Sequence, residues 1–192
     1  MSKTGIFGGS FNPVHNGHIA LARQLREAAG LDEVWLMVSP QNPLKQQADL
    51  LDDQLRLRMA RQAVADEPFI RVSDYEFLLS RPSYTWNTLQ ALERDFPDRQ
   101  FVLMIGGDNW QHFSRWYRAD DILNRYPIVV YPRRGTIIRS ATPNVTIVEA
   151  DLLDISSTDI RRRVREGKPI TGMVPDSIAG EVIAYYSDIT PT

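Results

Sequence analysis

"GIFGGSFNPVHNGHIALA", residues 5–22, sets four glycines, a proline and two histidines between a short apolar run and a helical pattern. Gly5 to Phe7 read as a buried strand. Ile19, Ala22, Leu25, Ala28 and Ala29, closed by Gly30, form one apolar face of a helix. Between them Gly8 and Gly9 let backbone come close to a ligand, Pro13 directs the exit, and Asn16 is expected to cap a helix beginning at Gly17.

The same alternation continues outward. Apolar runs at Val34–Val38, Phe69–Val72, Phe101–Ile105, Ile128–Tyr131 and Val145–Val148 read as further strands. Leu55, Met59, Ala63 and Val64, then Trp86, Leu89 and Leu92, give helical faces between them. Strands alternating with helices predict an α/β fold: a doubly wound, mostly parallel sheet of Rossmann-like topology with helices on both faces. "PRRGTIIRSATPN", residues 132–144, reads as a mobile loop. At 192 residues and 43% hydrophobic composition, one domain over 1–192 is expected.

Composition narrows the function. A net charge of −2 provides no basic footprint for duplex nucleic acid. With no cysteine, disulfides, thiolate metal sites and cysteine nucleophiles are excluded together. No stretch approaches the ~18–20 apolar residues of a membrane span, and the opening residues show no basic and apolar leader pattern. The expectation is a cytoplasmic protein that engages neither nucleic acid nor membrane; self-association into a homo-oligomer is left open.

In doubly wound sheets ligands lie beyond the carboxyl ends of the strands, where the strand order reverses, and the opening turn is expected there. His15 precedes the first helix and His18 falls in its first turn. A helix N-terminus offers unpaired N–H groups and the positive end of its dipole, so two added imidazole donors suit a polyphosphate. Neither G-x-x-x-x-G-K-[ST] nor G-x-G-x-x-G is present, which excludes an ordinary P-loop and a dinucleotide fingerprint. Asp108 in "IGGD", residues 105–108, follows a strong strand, where its carboxylate can accept from ribose hydroxyls or cap a helix.

"GGSFNPVHNGH" resembles the signature of the nucleotidyltransferase superfamily, whose H-x-G-H motif is here His15, Asn16, Gly17 and His18. A second segment, "ISSTDIRRRV" at 155–164, is similar to that superfamily's I-S-S-T-x-x-R element. Its plain structural reading is a capping box from Ser156 to Asp159, with Arg162, Arg163 and Arg165 on a solvated face. "RPSYTWNTL" at 81–89 and "RWY" at 115–117 are similar to segments of bacterial nicotinate-nucleotide adenylyltransferases, the resemblance running from residue 4 to about 187. Leu44 stands where that family usually has histidine, and Arg134 where it usually has proline.

The resemblance implies that ATP and nicotinate mononucleotide give nicotinate adenine dinucleotide and pyrophosphate, with Mg²⁺ held mainly by substrate phosphates and water and no protein ligand assigned. His15, His18 and Lys45 would be catalytic. Gly8, Gly9, Ser10, Phe11, Gly106, Asp108, Arg133, Ser156, Ser157, Thr158 and Arg161 would bind ATP. Ser83, Tyr84 and Thr85, opening a helix, and Trp116, stacking on the pyridine ring, would bind the acceptor. Two alternatives stand beside this. One is a sister transferase using nicotinamide mononucleotide or phosphopantetheine, the latter disfavoured by length and by the "PSYT" and "WY" segments. The other is a nucleotide-binding regulator without turnover, disfavoured by the intact pair of motifs.

Overall fold

A computed structural model describes residues 1–40, 50–132 and 142–187. The elements in chain order are β1 (Ser2–Gly9), α1 (Asn16–Ala28), β2 (Glu33–Val38), α2 (Asp53–Ala63), β3 (Ile70–Ser73), α3 (Thr85–Asp95), β4 (Arg99–Gly106), α4 (Gly107–Gln111), α5 (Ala119–Arg125), β5 (Ile128–Tyr131), β6 (Val145–Ile147), α6 (Ser157–Arg165) and α7 (Asp176–Tyr186). Short 3-10 turns lie at Tyr75–Leu78 and Phe113–Arg115.

All six strands are parallel, in the order β3-β2-β1-β4-β5-β6. This is the expected doubly wound sheet. Its strand order reverses between β1 and β4, the neighbouring strands on which a parallel sheet opens a crevice at their carboxyl ends. Every expected strand is present, β1 and β4 running further than their apolar runs alone suggest.

Side chains alternate between two cores, as the two-residue period of a strand requires. Phe7, Leu36, Val102, Met104, Val129 and Tyr131 face one layer, packed against Leu25 of α1, Met59 of α2, Ile160 of α6 and Ile178 of α7. Ile6, Trp35, Phe101, Leu103, Ile105 and Val130 face the other, against Leu89 and Leu92 of α3 and Ile122 of α5. Helices therefore cover both faces. At Gly5 a Cβ would lie 2.7 Å from Leu31 Cδ1 and closer still to Met104 Sδ, so any larger residue would force those two side chains to move.

One expected boundary is corrected. Helix α1 begins at Asn16, and its N-cap is His15 in extended conformation (φ −149°, ψ 169°). The Asn16 side chain is engaged elsewhere, Nδ2 donating to the Gly172 carbonyl at 2.8 Å, and so cannot serve as the cap. The part of the expected loop from 133 to 141, with Arg133, and the segment 41–49, with Lys45, lie outside the described residues. Among the described residues no helix is long and apolar enough to cross a membrane.

Candidate active site

The carboxyl ends of β1 and β4 open into a cleft of about 840 Å³. Gly8, Gly9, Ser10 and Phe11 form one wall, Gly106 and Asp108 the facing one. Asp108 sits in the first turn of α4, whose N-cap is Gly106, so Asp108 is not itself the cap.

The two histidines of the opening turn cap each other. His18 N–H donates to His15 Nδ1 at 3.3 Å, and His15 N–H donates to His18 Nδ1 at 3.2 Å. Two of the donors that a helix start leaves without intrahelical partners are thus satisfied by imidazole nitrogens instead of the usual hydroxyl or carboxylate. The chemical consequence is a fixed tautomer. Each Nδ1 is an acceptor, so each neutral ring carries its proton on Nε2. Protonating either ring would put a hydrogen on Nδ1 and break its cap bond.

The rings stack at 3.6 Å between centroids, and His18 meets the edges of Phe11 (5.0 Å) and Phe7 (6.2 Å). The glycine of H-x-G-H has a packing reason: a Cβ at Gly17 would lie 3.0 Å from His15 Cε1 and Nδ1. Phe11 is buried with φ +46°, a left-handed backbone that L side chains rarely adopt.

The loop between β1 and α1 is held from the far end of the sequence. Ser157 Oγ donates to the Pro13 carbonyl at 2.8 Å and Arg161 Nη1 to the Asn12 carbonyl at 2.7 Å. Ser156 caps α6 by accepting from Asp159 N–H at 3.1 Å, the forward half of the expected capping box. Ser156, Ser157, Thr158 and Arg161 all line the same cleft as His15 and His18, so the two motifs converge. Arg162 and Arg163 pair with Asp159 at the surface, as expected. Arg165 departs from that reading, its Nη1 being shut off from water.

Ser83, Tyr84, Thr85 and Trp116 line the opposite side of the cleft, with Tyr84 the N-cap residue of α3. The Tyr84 and Tyr117 rings meet at 5.0 Å, and Phe113 backs Trp116 at 5.3 Å. Trp116 Nε1 is buried with no hydrogen-bond partner among the described residues.

Three positions that sequence reasoning missed support these walls. The Tyr186 hydroxyl donates to Asn12 Oδ1 at 2.7 Å, and burial pushes that phenol far above its ordinary range. Glu76 lies almost wholly out of water, and Thr88 Oγ1 donates to its Oε1 at 2.9 Å. Burial raises the Glu76 pKa; the hydroxyls of Thr88, Ser39 and Ser83 oppose the rise. Of these, Ser83 Oγ lies beside the carboxyl without a hydrogen bond of good geometry. The third is Arg56, a fully buried arginine. A buried charge is a visible signal only in three dimensions, since in sequence each of these reads as an ordinary polar position.

Among the described residues no three His, Asp or Glu side chains converge on a point where they could hold a metal ion.

Comparison with known proteins places these observations. Residues 6–163 match the model of the cytidylyltransferase-like family. A Bacteroides fragilis protein named "Probable nicotinate-nucleotide adenylyltransferase" is 47% identical over 190 residues, covering 98% of this chain and 94% of its own. A Cytophaga hutchinsonii protein of the same name is 41% identical over 191 residues, covering 97% and 99%. Among solved structures, the Plasmodium falciparum nicotinic acid mononucleotide adenylyltransferase complexed with NaAD superposes with a TM-score of 0.80. It shares 16% identity and covers 100% of this chain and 99% of its own, a likeness of fold.

Proposed function

The chain belongs to the nicotinate-nucleotide adenylyltransferase family, and from that premise we propose that it transfers the adenylyl group of ATP to the phosphate of nicotinate mononucleotide, releasing pyrophosphate. The observation that carries the mechanism is the reciprocal histidine cap. It turns two imidazoles into oriented Nε2–H donors at the N-terminus of α1, inside the cleft where the strand order reverses.

A phosphate oxygen of the acceptor attacks the α-phosphorus of ATP in line; the bond from that phosphorus to the bridging oxygen breaks and pyrophosphate leaves. The acceptor phosphate has a second pKa near ~6 and is mostly dianionic at neutral pH, so no general base is required. Catalysis then consists of positioning and of stabilising charge on the transferring group. His15 and His18 donate to the α-phosphoryl oxygens as charge redistributes. Gly8 and Gly9 admit the triphosphate against backbone, Asp108 accepts from the ribose, and the N-terminus of α6 with Thr158 and Arg161 receives the outer phosphates. Ser157 and Arg161 also brace the loop that carries the histidines, through Pro13 and Asn12. Lys45 and Arg133 complete the cationic set in this reading. Mg²⁺ would be held by the phosphates of the bound nucleotide and would screen their charge.

Ser83, Tyr84, Thr85 and Trp116 receive the pyridine end. The buried Trp116 N–H and the N–H groups opening α3 are donors, and a carboxylate satisfies two where an amide presents its NH₂ to one. Each unpaired buried donor costs about 1–3 kcal/mol, so the one that an amide leaves unpaired favours the nicotinate acceptor by roughly five- to a hundredfold. Pyrophosphate release from ATP with nicotinate mononucleotide, nicotinamide mononucleotide and phosphopantetheine tests this. Equal kcat/KM for the two pyridine acceptors would refute the donor argument, and release with none of the three would remove the transferase reading.

A further inference from the structure

Arg56, in the first turn of α2, has no exposed surface, and every nitrogen of its guanidinium is spent on a structure around the cleft. Nε donates to the Leu51 carbonyl at 2.8 Å, and Nη1 to the carbonyls of Ser39 at 3.0 Å and Ser10. Nη2 pairs with Asp53 Oδ1 at 2.5 Å. Ser10 follows the last residue of β1 and Ser39 the last residue of β2, and both line the cleft. The network continues outward. Asp53 Oδ2 accepts from Arg81 Nη2 at 2.9 Å, and Arg81 leads through Pro82 into Ser83, Tyr84 and Thr85.

We propose that Arg56 is a positioning residue for the adenylyl transfer: through Asp53 and Arg81 it ties the wall that carries the triphosphate to the turn that carries the acceptor, and so sets the approach of the attacking oxygen. This rests on the transferase reading of the same cleft. A buried cation needs full compensation, and three carbonyls and a carboxylate supply it here; burial lowers the Arg56 pKa and Asp53 opposes that. The planar fork matters because it fixes the directions of several acceptors at once, which an ammonium on a flexible stem does not. In-line transfer is sensitive to such placement, a shift of about 1 Å being enough to lower the rate roughly a hundredfold.

The outer link can be cut at Arg81 without touching the core, since that side chain is 52% exposed, whereas Asp53 also compensates the buried Arg56. In Arg81→Met the melting temperature and the KM for ATP are expected to stay near wild type, while the KM for nicotinate mononucleotide rises about tenfold. Arg56→Lys keeps the charge and loses the fork. Its kcat per folded molecule, scored by native fraction, is expected to fall about ten- to a hundredfold, with Arg56→Met losing at least as much. A merely structural role moves only the melting temperature. Unchanged acceptor KM in Arg81→Met, or a wild-type kcat in folded Arg56→Lys, overturns the proposal. Binding of nicotinate mononucleotide alone, measured calorimetrically on the same variants, separates this from failure of the transferase reading: weakened binding in Arg81→Met supports the tie even without turnover, and unchanged binding counts against it.

Discussion

Replacing His18 by asparagine separates the two jobs that its ring performs. Asparagine Oδ1 occupies the place of Nδ1 and can accept the His15 N–H bond seen at 3.2 Å, but nothing replaces the Nε2–H donor. Loss of one preorganised donor to a developing oxyanion lowers kcat roughly 10²–10³-fold, about 2.7–4 kcal/mol. Since the donor acts mainly in the transition state, the ATP dissociation constant should change less than about threefold. His18→Ala loses the same donor and the cap bond too. Its kcat should match that of the asparagine variant, while its stability falls by a further ~1 kcal/mol. For a chain of this length that is a drop of roughly 2–4 °C in melting temperature. The assay is kcat by pyrophosphate release, ATP affinity by calorimetry and melting temperature, all on one preparation of each variant. If His18→Asn keeps a near-wild-type kcat, the donor role is wrong; if asparagine and alanine melt together, the cap is not where the ring contributes stability.

Gly17→Ala introduces a Cβ at 3.0 Å from the His15 imidazole, which must move by a few tenths of an ångström. The rate should fall about tenfold or more while the melting temperature does not fall, because alanine favours helix over glycine by up to about 1 kcal/mol; a rate equal to wild type would show that His15 placement is not critical. Glu76→Gln should stabilise the protein with a definite pH dependence. The folded-state pKa of Glu76 is raised by burial, so its neutral form costs nothing below the ordinary glutamate value and stability is lost as pH rises through the raised one. The amide keeps an acceptor for Thr88, so the variant should melt above wild type at pH 8 and with it near pH 4; an advantage that does not shrink on acidification contradicts the assignment.

The strands were legible because a parallel sheet buries both faces, leaving runs such as Ile128–Tyr131 apolar at every position. Helices α4 and α5, five and seven residues long, were not, being too short for a 3.6-residue period to declare itself. The histidine motif was legible as chemistry and not as geometry: histidine is an uncommon N-cap, so the sequence favours Asn16, whose side chain the fold sends to Gly172 instead. Arg56 was hidden among Arg58 and Arg61 in "LRLRMARQ", three arginines of one helix. Only packing distinguishes a guanidinium with no exposed surface from an Arg58 side chain 53% exposed. The cleft side formed by Ser83, Tyr84, Thr85 and Trp116 was legible as residue names, while Glu76 and Tyr186, which support the cleft and its loop, carry no motif at all.

The bond from Tyr186 to Asn12 spans 174 positions, and those from Arg161 and Ser157 to the same loop span 149 and 144. On a ribosome adding about 5–20 residues per second, the loop that bears the histidines therefore waits roughly 9–35 s after its own synthesis for the tyrosine that secures it. A nascent chain can lay down β1 and α1 early and still hold no finished cleft until α6 and α7 have emerged. Premature termination anywhere before Ser157 should accordingly yield a product whose histidine-bearing loop lacks all three of these ties.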